Sequence, residues 1–363
     1  MKVGIMTGGG DCPGLNAVIR AAVKVGVHRH GFEMFGIEDA FNGLVDLDYR
    51  SPHGNQWLTS KDVQEILPRG GTILGTSNRG DPFRYVKADG QEHDISAQVM
   101  ENYRKVGLEA LISIGGDGSM AIAKRFCDLG MKIVGVPKTI DNDLAATDYT
   151  FGFDTAVSIA TEALDRIRDT AESHDRVMLV EVMGRHAGFI ALHAGLAGGA
   201  HAILIPEIPY RIEAVAARVI ERRERGMPFS VIVVAEGAKP VGGEASILEH
   251  VPGGMARLSG AAHVCAEGLK PHLDAEMRVT VLGHVQRGGS PSNFDRVLAT
   301  RFGHHAADLV AKGEFGKMVA LRTPDIVSVP IEDALSAPKR VDPEGQLVKT
   351  ARAIGVVFGD EDG

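Results

Sequence analysis

Short apolar runs that end in glycine-rich turns and give way to helical stripes recur along this chain. That alternation constrains the fold most, because strands alternating with amphipathic helices build a mostly parallel sheet covered on both faces. Val3 to Met6 is the first run, followed by Gly8-Gly9-Gly10-Asp11 and a helix with Leu15, Ile19, Ala22 and Gly26 on one face. Further strands read at 110–114, 132–136, 177–182, 202–205, 230–235 and 278–284. Val157, Ala160, Leu164 and Ile167 trace another helix. In open α/β sheets ligands sit beyond the carboxyl ends of the strands, where each motif described below also lies.

The 363 residues are enough for two domains. No Pro/Ser-rich linker separates them, which places the boundary inside the alternation, near Gly152. A net charge of −8 argues against nucleic-acid or anionic-membrane partners. Cys12, Cys127 and Cys265 lie far apart with no CxxC spacing, as expected of a reduced, cytoplasmic chain. The N-terminus reads as a strand rather than a signal peptide, and no apolar run approaches the roughly 20 residues that cross a bilayer. Past Pro338 the tail is polar, then apolar at Ala353 to Val357, then acidic at Asp360 to Gly363, where fraying is expected.

Gly115-Gly116-Asp117-Gly118-Ser119 joins an apolar strand to a helix carrying Met120, Ala123 and Cys127. Glycines allow close backbone approach, and the helix N-terminus favours negative charge. An aspartate there repels phosphate unless a divalent cation lies between, so Asp117 points to Mg²⁺ and phosphoryl transfer. The plainer alternative is a tight turn capped by Asp117. Gly8 to Asp11 is a second candidate cradle, with neither GxGxxG nor GxxxxGK[ST] spacing.

Pro137-Lys138-Thr139-Ile140-Asp141-Asn142-Asp143 closes the strand at 132–136. One of its carboxylates can take a proton from an attacking hydroxyl while the other orients water or metal. An Asx-rich turn is the alternative, and it weighs more for Asp143 than for Asp141. Met183-Gly184-Arg185-His186-Ala187-Gly188 offers a planar guanidinium for phosphate. Gly283-His284-Val285-Gln286-Arg287-Gly288-Gly289 sets a histidine and an arginine where they can share one. Glu236, at another strand end, can accept from sugar hydroxyls or be a turn carboxylate.

Together with Gly70-Gly71-Thr72-Ile73-Leu74-Gly75, these strings resemble the 6-phosphofructokinase family in order and spacing from about residue 1 to about 335. GGDG also occurs in NAD and lipid kinases, whereas TIDND, MGR and GHxQRGG together are specific. The resemblance implies two similar Rossmann-like three-layer α/β domains with mostly parallel sheets and the active site in the cleft between them. Residues 1–152 plus 286–337 would bind the donor, and 153–285 plus 338–363 fructose 6-phosphate. Asp141 would activate the C1 hydroxyl beside Thr139, and Asp117 would hold Mg²⁺. Gly10, Gly116, Gly118 and Ser119 would cradle the donor. Met183, Gly184, Arg185 and Glu236 would contact the sugar, with Arg185 also catalytic. His284 and Arg287 would hold its 6-phosphate. Arg176 and Arg278 match arginines that reach that phosphate from a neighbouring subunit, which implies a homodimer or homotetramer with shared sites.

The family uses ATP or pyrophosphate. Gly118 matches ATP enzymes, since aspartate there excludes the α-phosphate; Lys138 matches pyrophosphate enzymes. The mixed pair resembles the family's third subgroup, and Gly118 favours ATP. Asn78 stands where ATP-type members carry arginine, leaving Lys138 or Arg79 to supply the charge. Phe41 replaces an adenine-contacting tyrosine. Of the basic effector site, Arg20, Lys24, Arg168 and Arg225 are present, but Ser60 and Met227 are not cations, so weak allostery is expected. An NAD- or lipid-kinase-like enzyme leaves TIDND and GHVQRGG unexplained, and a non-catalytic sugar-phosphate sensor has no need of Asp117 and Asp141 together.

Overall fold

The computed structural model describes residues 1–49, 54–78, 80–87, 89–249 and 257–361. The chain divides into two compact units, one of residues 1–140, 144–154 and 287–338, the other of 141–143, 155–286 and 339–363. The run Asp141–Asp143, which the sequence reading left with the first unit, groups with the second. There the Lys339 backbone N–H donates to the Asp143 carbonyl oxygen at 2.7 Å.

The first unit is built on a seven-stranded sheet. Its spatial order is Asp325–Pro330, Lys317–Arg322, Ile133–Pro137, Ala110–Gly115, Lys2–Thr7, Glu33–Ile37 and Gln56–Leu58. The five central strands are parallel and each edge strand is antiparallel to its neighbour. Ala110–Gly115 and Ile133–Pro137 are buried along their whole lengths, which is why they read as continuous apolar runs without alternation. Leu111 and Ile133 face a core with Met6, Ile37, Met100 and Phe126, under the helices Ser96–Val106 and Asp117–Asp128. Helix Asn293–Lys312 packs on Leu15–His30 and on the strands Ile133–Pro137 and Lys317–Arg322.

The second unit holds four parallel strands in the order Met277–Val281, Val177–Val182, Ser230–Ala235 and Ala202–Leu204. Val177, Leu179, Ile232 and Val234 share a core with Val215 and Val219 of helix Ile212–Glu224 and Cys265 and Leu269 of helix Ala261–Leu269. Both units are therefore α/β with mostly parallel sheets.

Two local expectations change. The strand expected at 278–284 ends at Val281, and Gly283–Arg287 forms a 3₁₀ turn. Gly283 has φ +51°, which breaks the extended run, and the buried Gln286 side chain turns back to donate to the Gly283 carbonyl oxygen at 3.0 Å. The acidic tail is not frayed at Asp360 and Glu361. Arg352 pairs with their carboxylates at 2.7 and 2.6 Å, and Glu361 accepts the Phe358 and Gly359 N–H groups. Among the described residues no helix is long and apolar enough to cross a membrane.

Candidate active site

In the first unit, the strand Lys2–Thr7 hands over to Gly8-Gly9-Gly10, with Gly9 at φ +79°. The N–H groups of Gly8 and Gly9 donate to Ile114 and Ser77 carbonyls at 2.9 and 3.0 Å, so these two serve the turn itself. Thr76 Oγ1 donates to the Gly9 carbonyl at 2.6 Å. Lys138, only 3% exposed, donates its ammonium to the Gly10 carbonyl at 2.5 Å. Arg287 donates through Nη1 to the Asp11 carbonyl at 3.1 Å. Two cations thus meet one glycine turn.

Helix Asp117–Asp128 starts beside this turn in the same unit: a Cβ on Gly8 would lie 2.8 Å from Ser119 Oγ. Asp117 is exposed, and its carboxylate receives the Gly118 N–H at 2.7 Å. A Cβ on Gly118 would meet nothing within 4 Å. No group of three His, Cys, Asp or Glu among the described residues is arranged to hold a metal. Mg²⁺ is commonly held by one or two carboxylates together with substrate phosphates and water, so a lone exposed carboxylate at a helix N-terminus fits it.

Phe41 departs from its expected role. It is 3% exposed and stacks on Phe126 with ring centroids 4.8 Å apart, so its ring is part of the hydrophobic core and not presented to an adenine. Asn78 is exposed. Arg79 lies outside the described residues. Cys12, next to the glycine turn, is fully buried, and burial pushes its thiol up to about 12.

In the second unit, Met183, Glu236, Gly283 and His284 line one cavity of about 380 Å³, with Glu181 and Ser259 among the other walls. Three residues expected to meet the sugar phosphate, Met183, Glu236 and His284, therefore converge. Gly184 is at φ +137°, and Arg185 is half-buried beside them in the chain. Arg176 and Arg278 are brought together as well. Arg176 Nε lies 2.9 Å from one oxygen of Glu276, and Arg278 binds the other. Those two guanidinium groups, that of Arg176 first, hold the Glu276 carboxyl below its usual range.

Three of the residues expected at an effector site make contacts inside their own units. Arg168 donates to the Gly198 carbonyl at 2.7 Å, Arg225 pairs with Glu221 at 2.7 Å, and Ser60 bonds His28 at 2.7 Å. His201 feels the charges of three arginines. Burial first, then the charges of Arg222, Arg168 and Arg218, push its imidazole down to about 3.

Three residues near these loops escaped the sequence reading. Glu181 is buried within an apolar strand and accepts the N–H groups of Gly260 and Ala262 at 3.0 Å, at the start of helix Ala261–Leu269. A charged residue inside an apolar run was the available signal. Gln286 Oε1 accepts the Met183 N–H at 3.3 Å, tying MGR to GHVQRGG. Glu207 accepts the Gly188 N–H at 3.0 Å, and burial pushes its carboxyl above the usual range.

The phosphofructokinase family model matches residues 2–310. The ATP-dependent 6-phosphofructokinase of Chloroflexus aurantiacus is 52% identical over 361 residues, 99% of this chain and 98% of that one. The pyrophosphate–fructose 6-phosphate 1-phosphotransferase of Amycolatopsis methanolica is 54% identical over 347 residues, 95% of this chain and 97% of that one. Among solved structures, phosphofructokinase from Saccharomyces cerevisiae superposes with TM-score 0.78 at 32% identity over 92% of this chain, which spans 45% of that longer chain.

Proposed function

The chain belongs to the phosphofructokinase family and is a 6-phosphofructokinase, a phosphotransferase acting on an alcohol group, and we propose that it uses Mg²⁺ and ATP with Asp141 as base. The observation that carries the donor reading is the open space at Gly118, where a Cβ meets no atom within 4 Å. Gly118 therefore adds no side chain to the region that an α-phosphate and nucleoside need. Mg²⁺, when bound, neutralises charge on the donor phosphates, and Asp117 is the residue that would hold it. The N-terminus of helix Asp117–Asp128, Gly10, Lys138 and Ser119 supply the remaining positive potential and close backbone approach.

Asp141 takes the proton from the C1 hydroxyl of fructose 6-phosphate, with Thr139 beside it in the chain. Met183, Gly184, Arg185 and Glu236 orient the sugar. His284 and Arg287 are assigned to the 6-phosphate, for which Arg287 must leave the Asp11 carbonyl. Transfer is direct and in line, without a phosphoenzyme. Arg176 and Arg278, paired through Glu276, serve the 6-phosphate of a neighbouring subunit, so the working form is at least a dimer in the cytoplasm. Pyrophosphate as donor is the second reading, favoured by the ammonium of Lys138 against the Gly9-Gly10 turn.

Asp141→Asn tests the chemistry, since it keeps shape and removes the proton acceptor. Turnover should fall by about 10²–10⁴ with fructose 6-phosphate affinity retained. Near-normal turnover refutes the base assignment.

A further inference from the structure

Three consecutive residues, Lys339, Arg340 and Val341, bridge two loops of the second unit. The Lys339 N–H donates to the Asp143 carbonyl oxygen at 2.7 Å, and its ammonium donates to Asn142 Oδ1 at 3.0 Å. Two residues on, the Val341 N–H donates to Glu207 Oε1 at 2.9 Å. The same carboxylate receives the Gly188 N–H at 3.0 and 3.1 Å, where the Met183–Gly188 loop enters helix Phe189–Ala197. The Lys339 ammonium also lies 5.5 Å from the centroid of the Phe189 ring, the first residue of that helix. Two loops are thus joined through one short segment.

The chemistry of these bonds sets orientation. An ammonium only donates, so Asn142 must present its oxygen and the amide has one allowed direction. Asn142 is 3% exposed and sits at φ +54°, a left-handed conformation that asparagine tolerates at some cost. A charge-assisted bond to its side chain holds that turn in place. The turn follows Asp141 directly in the chain.

We propose that Lys339 and Glu207 are positioning residues for phosphoryl transfer, locking the Asp141–Asp143 turn to the Met183–Gly188 loop so that base and sugar-binding groups keep one relative geometry. The inference rests on the reading of Asp141 as base. Neither residue need touch substrate. Misplacement of a reacting group by about 1 Å can cost about 10²-fold in rate, so a brace of this kind has a measurable kinetic effect.

The test is a double-mutant cycle of Lys339→Met with Asp141→Asn, read as turnover alongside equilibrium binding of fructose 6-phosphate. Lys339→Met alone should lower turnover about 10–10²-fold with sugar affinity within about 3-fold, and Lys339→Arg should recover most of the loss. In the Asp141→Asn background Lys339→Met should lower residual turnover no further, because the group it positions is already gone. Should Lys339→Met not fold, Glu207→Gln, which keeps an acceptor and removes the charge, reads the same cycle from the other anchor. Wild-type turnover in the single variants, or the same factor lost in both backgrounds, overturns the inference while leaving Asp141 as base. Near-normal turnover of Asp141→Asn itself overturns the base reading and this inference with it.

Discussion

The Lys138 ammonium donates to the carbonyl oxygen of Gly10 at 2.5 Å, from a side chain only 3% exposed. A buried cation is thereby held against the Gly8–Gly10 turn by the strand end that also leads into Asp141. Its charge raises the positive potential of the turn in addition to bracing it. Asn78 brings no charge of its own.

Lys138→Met should lower turnover on the order of 10²-fold, with much less change in fructose 6-phosphate affinity, because Lys138 would stabilise charge that develops mainly in the transition state. Steady-state kinetics with a direct sugar-binding measurement decide the matter. Loss of affinity without loss of turnover would reduce Lys138 to a prop.

Gly118→Asp isolates the donor question, since the new side chain meets no protein atom within 4 Å at its Cβ and the fold should tolerate it. ATP-dependent turnover should fall far more than any pyrophosphate-dependent turnover, because pyrophosphate leaves the α-phosphate position empty. Equal losses with both donors would show that exclusion at this position does not set donor choice.

Arg176 and Arg278 share the carboxylate of Glu276. If that pair completes a neighbouring subunit's site, mixing Arg278→Ala and Asp141→Asn protomers should restore part of the activity each lacks alone. Subunit exchange must be verified, for example by mass spectrometry of tagged protomers. Demonstrated exchange with no recovered activity would place the whole site in one chain.

His201 titrates near 3 in the fold, against an ordinary value of 6.5. Between those values the unfolded chain binds a proton that the folded chain refuses. The contribution to stability is therefore complete above pH 6.5 and is lost as pH falls toward 3. Between pH 7 and about pH 5 the wild-type Tm should drop more than that of His201→Asn, which keeps a side-chain acceptor for the Val231 N–H. Parallel drops would show that His201 protonates in the fold.

The parallel α/β class was legible because buried central strands such as Ala110–Gly115 are unbroken apolar runs, and the glycine turns beyond them marked strand ends. Residues whose role is set by partners far along the chain were not legible. The Lys339 bond to Asn142 spans 197 residues and the Gln286 bond to Met183 spans 103, and no local pattern announces either. Phe41 misled because an aromatic in a ligand motif and an aromatic in a core have the same sequence signature; its burial against Phe126 separates them. The end of the strand at Val281 was missed because 278–284 is apolar enough to continue, while the left-handed Gly283 stops it.

The central claim is most directly tested by incubating the purified chain with fructose 6-phosphate and Mg²⁺, with ATP in one reaction and pyrophosphate in a parallel one, and measuring fructose 1,6-bisphosphate. The account predicts rapid formation with ATP and little with pyrophosphate. Product with pyrophosphate and none with ATP would contradict the donor assignment while leaving the sugar site standing, and no product with either would contradict the assignment of the chain as a working kinase.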